Sequence, residues 1–123
     1  MTLDEALDYI HRVDWRGSIP GLSRIDALLN KLGHPESAVK YIHITGTNGK
    51  GSTRAMTASV LQAAGYRTGL YTSPYIRRFN ERMHINGVPI PDDDLCALVE
   101  EIQPLADSMA DHPTEFELVT AIG

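Results

Sequence analysis

The chain has 123 residues, enough for one compact domain with a modest core, and its 42% apolar content is that of a soluble globular protein. A net charge of −5 opposes broad nucleic-acid binding, because an acidic surface repels phosphate backbones, so any anionic ligand needs a local site. One cysteine, Cys96, excludes an intramolecular disulfide framework, and the acid-studded opening MTLDEALDYIHRVDW reads as neither signal peptide nor membrane span, so a cytoplasmic location is expected.

Thr2 and Glu5 have capping-box spacing, and Leu3, Leu7 and Ile10 recur on one face, which predicts a helix over residues 2–13. WRGSIPG breaks that pattern. Leu22, Ile25, Leu28, Leu29 and Leu32 then repeat at helical spacing up to Gly33, a residue suited to a left-handed C-terminal cap, with Pro35 just beyond. YIHIT (Tyr41 to Thr45) and RTGLYTS (Arg67 to Ser73) are short and β-rich, and the stretch between them suits a crossover helix ending at Gly65. The expected unit is βαβ. A right-handed crossover would make its strands parallel and place the intervening loop at the carboxyl end of the first strand, where α/β sheets bind ligands.

SPYIRRFNER (Ser73 to Arg82) has no clean period and reads as a loop carrying Arg77, Arg78 and Arg82, followed by MHINGVPI with Asn86 and Gly87 as the turn of a hairpin. Asp92, Asp93 and Asp94 put negative charge at a helix start. Leu95, Leu98, Val99, Ile102 and Leu105 mark that helix's buried face, Cys96 reads as a small buried hydrophobe within it, and Pro104 is expected to kink or end it. Thr114 and Glu117 again have capping-box spacing. The helix they open has barely two turns before Gly123, so the chain is expected to be an amino-terminal piece of a longer protein.

The segment richest in chemistry is ITGTNGKGST (Ile44 to Thr53). It departs twice from the phosphate-loop pattern G-x-x-x-x-G-K-[ST], with Ile44 in place of the first glycine and Gly51 directly after Lys50. A strand ending at Thr45 and a helix starting near Lys50 would still aim unpaired N–H groups and the positive end of a helix dipole at one point. Gly46, Gly49 and Gly51 are expected to allow positive φ and close backbone approach, Lys50 to offer a mobile charge to phosphates, and Ser52 a hydroxyl to a phosphate oxygen or Mg²⁺. The plainer alternative is a glycine-rich turn with an exposed lysine. The order of strand, glycine, lysine, hydroxyl and helix favours phosphate. His43 reads as a core residue, and His11, His34, His84 and His112 lack metal-ligand spacing.

TGTNGKGS (Thr45 to Ser52), GLYTSPYIRRFNERMHING (Gly69 to Gly87) and TEFELVTAIG (Thr114 to Gly123) closely resemble the amino-terminal part of folylpolyglutamate synthase and the bifunctional dihydrofolate synthase, of the Mur-type ligase superfamily. GLSRIDALLNKLG (Gly21 to Gly33) also matches that family's preceding helix, so the resemblance covers the chain from about Gly21 onward. It implies an α/β, phosphate-loop NTPase-like, parallel-sheet Mur-ligase-type ATP-binding domain, incomplete in this chain: residues 1–123 are its amino-terminal part, and the rest of it and a carboxy-terminal domain are absent. The implied activity is ATP-dependent ligation of L-glutamate to dihydropteroate or a reduced folate through an acyl phosphate, with ATP and Mg²⁺ required and no nucleic-acid or membrane partner. The full-length enzyme is expected to be monomeric, and residues 1–123 alone inactive.

By the same resemblance Thr47, Asn48, Gly49, Lys50, Gly51 and Ser52 cradle the triphosphate, and Lys50 also offsets charge on the transferring group. Ser73 ligates Mg²⁺, with Ser52 a second hydroxyl donor. Ser18, Ile19 and Pro20, together with Thr114, Glu115, Phe116 and Glu117, border the pterin pocket. The capping box is a sufficient structural reason for Thr114 and Glu117, and Phe116 has entry into the core as its alternative. Arg82 is the preferred arginine for holding an anion or ordering its loop. Two other functions stay open at this point: another Mur-type amino-acid ligase, or a non-catalytic nucleotide-binding module.

Overall fold

The computed structural model describes residues 1–13, 19–45, 49–72 and 77–123. In chain order the elements are α1 (Leu3–His11), α2 (Ser23–Lys31), α3 (Lys50–Ala63), β1 (Gly69–Tyr71), β2 (Met83–Ile85), β3 (Val88–Pro89), α4 (Asp92–Asp107) and α5 (Glu115–Ile122). They fall into two compact units, Met1–Lys40 with Asp92–Gly123, and Tyr41–Pro91.

The first unit is helical. Thr2 Oγ1 accepts from the Glu5 N–H at 3.2 Å and opens α1 as its spacing predicts, but the face that sinks is Ala6, Tyr9 and Ile10, with Leu3 and Leu7 only half-buried. In α2 the buried residues are Arg24 and Leu28, while Leu22, expected on the apolar face, is the N-cap and stands exposed. The helix ends as expected at Gly33 (φ 81°), where the N–H groups of Gly33 and His34 reach back to the carbonyls of Asn30 (3.1 Å) and Leu29 (2.8 Å).

α4 contributes Leu95, Cys96, Val99, Ile102 and Ala106 to the core, and burial pushes the Cys96 thiol pKa up. Leu98, expected inward, is 37% exposed. Pro104 does not end α4, which runs on to Asp107 with the Ser108 N–H donating to the Pro104 carbonyl at 3.2 Å. A proline deletes one backbone donor, and burial of Ile102 and Ala106 on either side of it holds the next turn in place. α5 closes the unit with Leu118, Val119 and Ile122, each worth about 1.5–3 kcal/mol in apolar burial.

The second unit is thinly packed. None of the described side chains of α3 is buried, and Met56 and Val60 are exposed. Its C-terminus is where the sequence places it: Gly65 (φ 95°) donates to Gln62 and Tyr66 to Leu61. The sheet has the order β1-β2-β3 and is antiparallel throughout, with Gly69 opposite Ile85, Tyr71 opposite Met83 and Ile85 opposite Val88. Asn86 (φ 50°) and Gly87 (φ 80°) are both left-handed, which makes the expected two-residue hairpin turn type I′.

Residues 41–45 form no strand, and the parallel pairing expected between them and residues 67–73 is not present among the described residues. Tyr41 and Ile42 are 66% and 64% exposed, and His43, read from sequence as a core residue, is exposed too. A central parallel strand is buried on both faces, and no described element covers this segment. The partner that β1 does find is β2, through a ladder that the Asn86 N–H extends to the Thr68 carbonyl at 2.8 Å.

Candidate functional site

The nucleotide-loop candidates stand at the start of α3. Gly49 is its N-cap in the left-handed region (φ 73°, ψ 5°), and among the described residues no side chain caps the helix. An α-helix leaves its first N–H groups without intrahelical acceptors, and such groups suit an outside anion. A Cβ built on Gly49 or Gly51 would meet nothing within 4 Å, so the space at the helix start is open. Those two observations fit a phosphate. Lys50 is the first residue of α3, and Ser52 lies in its first turn and is exposed. Of the glycines expected at positive φ, Gly49 is so and Gly51 is helical, because the turn is complete once α3 has begun. Gly46, Thr47 and Asn48 lie outside the described residues, as do Ser73 and Ser18.

Arg82 ends a short 3₁₀ turn, Phe79–Arg82, with its guanidinium carbon 5.4 Å from the Phe79 ring centre and 6.0 Å from that of Tyr71. Two aromatic faces hold the cation in place. Its Nε is buried with no hydrogen-bond partner among the described residues. The loop itself is ordered by a different side chain: the Glu81 carboxylate accepts from the N–H groups of both Arg77 and Arg78 at 3.1 Å. Arg77 and Arg78 are exposed.

The pterin-pocket candidates are gathered in the helical unit by a residue that sequence reasoning missed. Thr114 and Glu117 form the expected capping box, with Thr114 N–H to Glu117 Oε1 at 3.0 Å and Glu117 N–H to Thr114 Oγ1 at 3.2 Å. The same Oε1 accepts from Nε of Arg24 at 2.9 Å, and Nη2 of Arg24 donates to the carbonyls of Ile19 (2.7 Å) and Pro20 (3.3 Å). Arg24 thus joins the two segments. Phe116 lies 68% exposed, so its alternative place in the core is not taken, and Glu115 pairs with Nδ1 of His11 at 2.8 Å. One signal for Arg24 was available: it stands four residues before Leu28, on the row that α2 buries.

Burial alone would raise the Glu117 pKa, but hydrogen bonds from the Thr114 N–H and the Arg24 guanidinium outweigh it and hold the carboxyl below the ordinary glutamate value. The Arg24 pKa is raised in turn, chiefly by its bond to Glu117. A carboxyl with a depressed pKa stabilises the fold fully above its unfolded value of about 4.3, and that contribution disappears as pH falls through the folded value. The Tm advantage of the protein over its Glu117→Gln variant is therefore expected to be largest near neutrality and to close below about pH 4. Thermal melts across pH 3–8 check this, and an advantage that grows in acid would contradict it.

Among the described residues no cluster of three His, Cys, Asp or Glu side chains is placed to hold a metal ion, and no helix is long and apolar enough to cross a membrane. Ser52 offers an exposed hydroxyl, which suits Mg²⁺ only alongside phosphate, carboxylate or water oxygens.

Known proteins resemble this chain in sequence and fold. Over 121 residues the chain is 46% identical to a dihydrofolate synthase/folylpolyglutamate synthase of Bacillus subtilis (strain 168), an alignment covering 95% of this chain and 28% of that one. The folylpolyglutamate synthetase from Lactobacillus casei superposes with a TM-score of 0.90 at 44% identity, over 99% of this chain and 32% of that one. A folylpolyglutamate synthase in complex with AMPPCP and folate gives 0.85 at 44% identity, over 99% and 31%. No protein-family model matches the chain. The fold is that of an ATP-binding, Mur-ligase-type α/β domain, present in part. The chain belongs to the folylpolyglutamate synthase/dihydrofolate synthase family, and it spans about 30% of the length of the curated relatives it matches.

Proposed function

We propose that this chain supplies the nucleotide loop and part of the acceptor-binding surface of an ATP-dependent ligase. The enzyme joins L-glutamate to dihydropteroate, to the γ-carboxyl of a reduced folate, or to both. The observation that carries this reading is the start of α3, with left-handed Gly49 directly before Lys50, in a chain 46% identical to a dihydrofolate synthase/folylpolyglutamate synthase. In the reaction an acceptor carboxylate oxygen attacks the γ-phosphorus of ATP and ADP departs, leaving an acyl phosphate. The glutamate amine, having lost a proton, then attacks the acyl carbon, and inorganic phosphate leaves as the amide forms.

This chain's share of that work is positioning and charge. Thr47, Asn48, Gly49, Gly51 and Ser52 wrap the phosphates with backbone N–H groups and hydroxyls, and Lys50 offsets the charge that spreads over the transferring group. Ser52 and Ser73 would hold Mg²⁺, which neutralises phosphate charge when bound. Ser18, Ile19, Pro20, Thr114, Glu115, Phe116 and Glu117 are assigned to the acceptor, and Phe116 offers the flat, exposed face a pterin ring needs. Arg82 holds an anionic group with the edge of its guanidinium.

Residues 1–123 are read as the amino-terminal part of the ATP-binding domain of a longer, cytoplasmic, monomeric enzyme. Its other metal ligands and its glutamate site lie outside this chain. The test is ATP-dependent incorporation of labelled glutamate by the full open reading frame, offered dihydropteroate and tetrahydrofolate in parallel, with Lys50→Ala as control. Incorporation into neither acceptor by a folded, ATP-binding protein would sink the folate assignment, and turnover by residues 1–123 alone would refute the division of labour.

A further inference from the structure

We infer that Arg24 is a positioning residue for the acceptor site, a role that rests on the function proposed above. Two segments border that site, one ending at Ile19 and Pro20 just before α2, the other opening α5 at Thr114–Glu117. They are far apart in sequence, and the guanidinium of Arg24 bonds to both. Its Nη2 takes the carbonyls of Ile19 and Pro20 at 2.7 and 3.3 Å. Its Nε takes Glu117 Oε1 at 2.9 Å, the same oxygen that accepts the Thr114 N–H, and its Nη1 stands 3.5 Å from Asp111 Oδ2.

The shape of the group matters more than its charge. A guanidinium is a rigid planar fork, so fixing Nε against Glu117 also fixes where Nη2 points, and with it the two carbonyls. The side chain is itself buried, 7% exposed, with Glu117 at 9%, so water competes little for these bonds. Phe116, one residue before Glu117, is by contrast left 68% exposed. The fork therefore sets the register of the pocket's two walls, and Arg24 holds the aromatic face of Phe116 at a fixed distance from Ile19 and Pro20 without touching the acceptor. An ammonium at this position has the charge and three donors, but all on one freely rotating nitrogen, so it lacks the planar spacing that fixes the carboxylate and the carbonyls relative to each other.

The experiment compares Arg24→Lys and Arg24→Gln with the wild-type full open reading frame, reading KM for the pterin acceptor, KM for ATP and kcat. In both variants the acceptor KM is expected to rise about tenfold or more while the ATP KM stays within about twofold, the pattern of lost acceptor positioning. Unchanged acceptor KM in an active Arg24→Lys enzyme overturns the role. So does a parallel rise of both KM values, or loss of folded protein in both variants by circular dichroism, since either makes Arg24 a purely structural residue. A wild-type enzyme that ligates glutamate to neither acceptor overturns the proposed function, and this role with it; a wild-type enzyme that is active separates the two.

Discussion

Lys50→Ala is expected to lower kcat for glutamate ligation by about 10²–10³-fold, equivalent to about 2.7–4 kcal/mol of transition-state stabilisation. The expectation follows from where Lys50 sits: it is the first residue of α3, directly after left-handed Gly49. The N–H groups of that turn are fixed partial charges, which would bind ATP and its transition state almost alike. A lysine ammonium is a whole charge on a mobile stem and can follow the phosphoryl group as charge redistributes, so its removal should cost kcat more than it costs the ATP KM. Alanine has the highest helix propensity of the standard residues, so α3 should form as before. Steady-state kinetics with near-native circular dichroism check the claim. A variant with wild-type kcat would mean that the anion at this helix start is not the one that reacts.

Much of the helical unit was legible because its signals are local. Capping boxes act over three residues and glycine caps over four, so Thr2, Gly33 and the Thr114/Glu117 pair could be read directly from the chain. The Asn86–Gly87 turn was legible for the same reason. Periodicity did less well at the level of single residues, missing Arg24 on the buried row of α2 and assigning Leu22 and Leu98 to faces that are exposed. Strand formation was the least legible. The β-rich run at Tyr41–Thr45 reports that these side chains would fit a pleated, half-buried surface, and nothing in the five residues says whether a partner lies beside them. The Arg24–Glu117 bond was hidden for a similar reason. Its partners are 93 residues apart, and only the packing of α2 on α5 brings them together.

The division between fold and function within α5 gives the second large effect. Leu118→Ala is expected to destabilise the protein by about 2–5 kcal/mol, because Leu118 is fully buried and its removal loses both transfer free energy and the packing of a cavity that cannot fully collapse. Small domains hold about 5–15 kcal/mol in total, so this is a substantial fraction and should appear as a large fall in Tm. Two residues earlier on the same helix, Phe116 is 68% exposed, and Phe116→Ala should change stability by no more than about 0.5 kcal/mol. If its ring stacks on the pterin, that variant should instead raise the acceptor KM by about three- to tenfold, the equivalent of one aromatic contact. Melting curves and acceptor titrations on the two variants form a cross: one moves Tm far more than KM, the other KM and not Tm. A Phe116→Ala enzyme with unchanged acceptor KM would remove Phe116 from the pocket wall. A Leu118→Ala protein as stable as wild type would mean that α5 is not seated by its apolar face, and that the capping box and the Arg24 bond hold it instead.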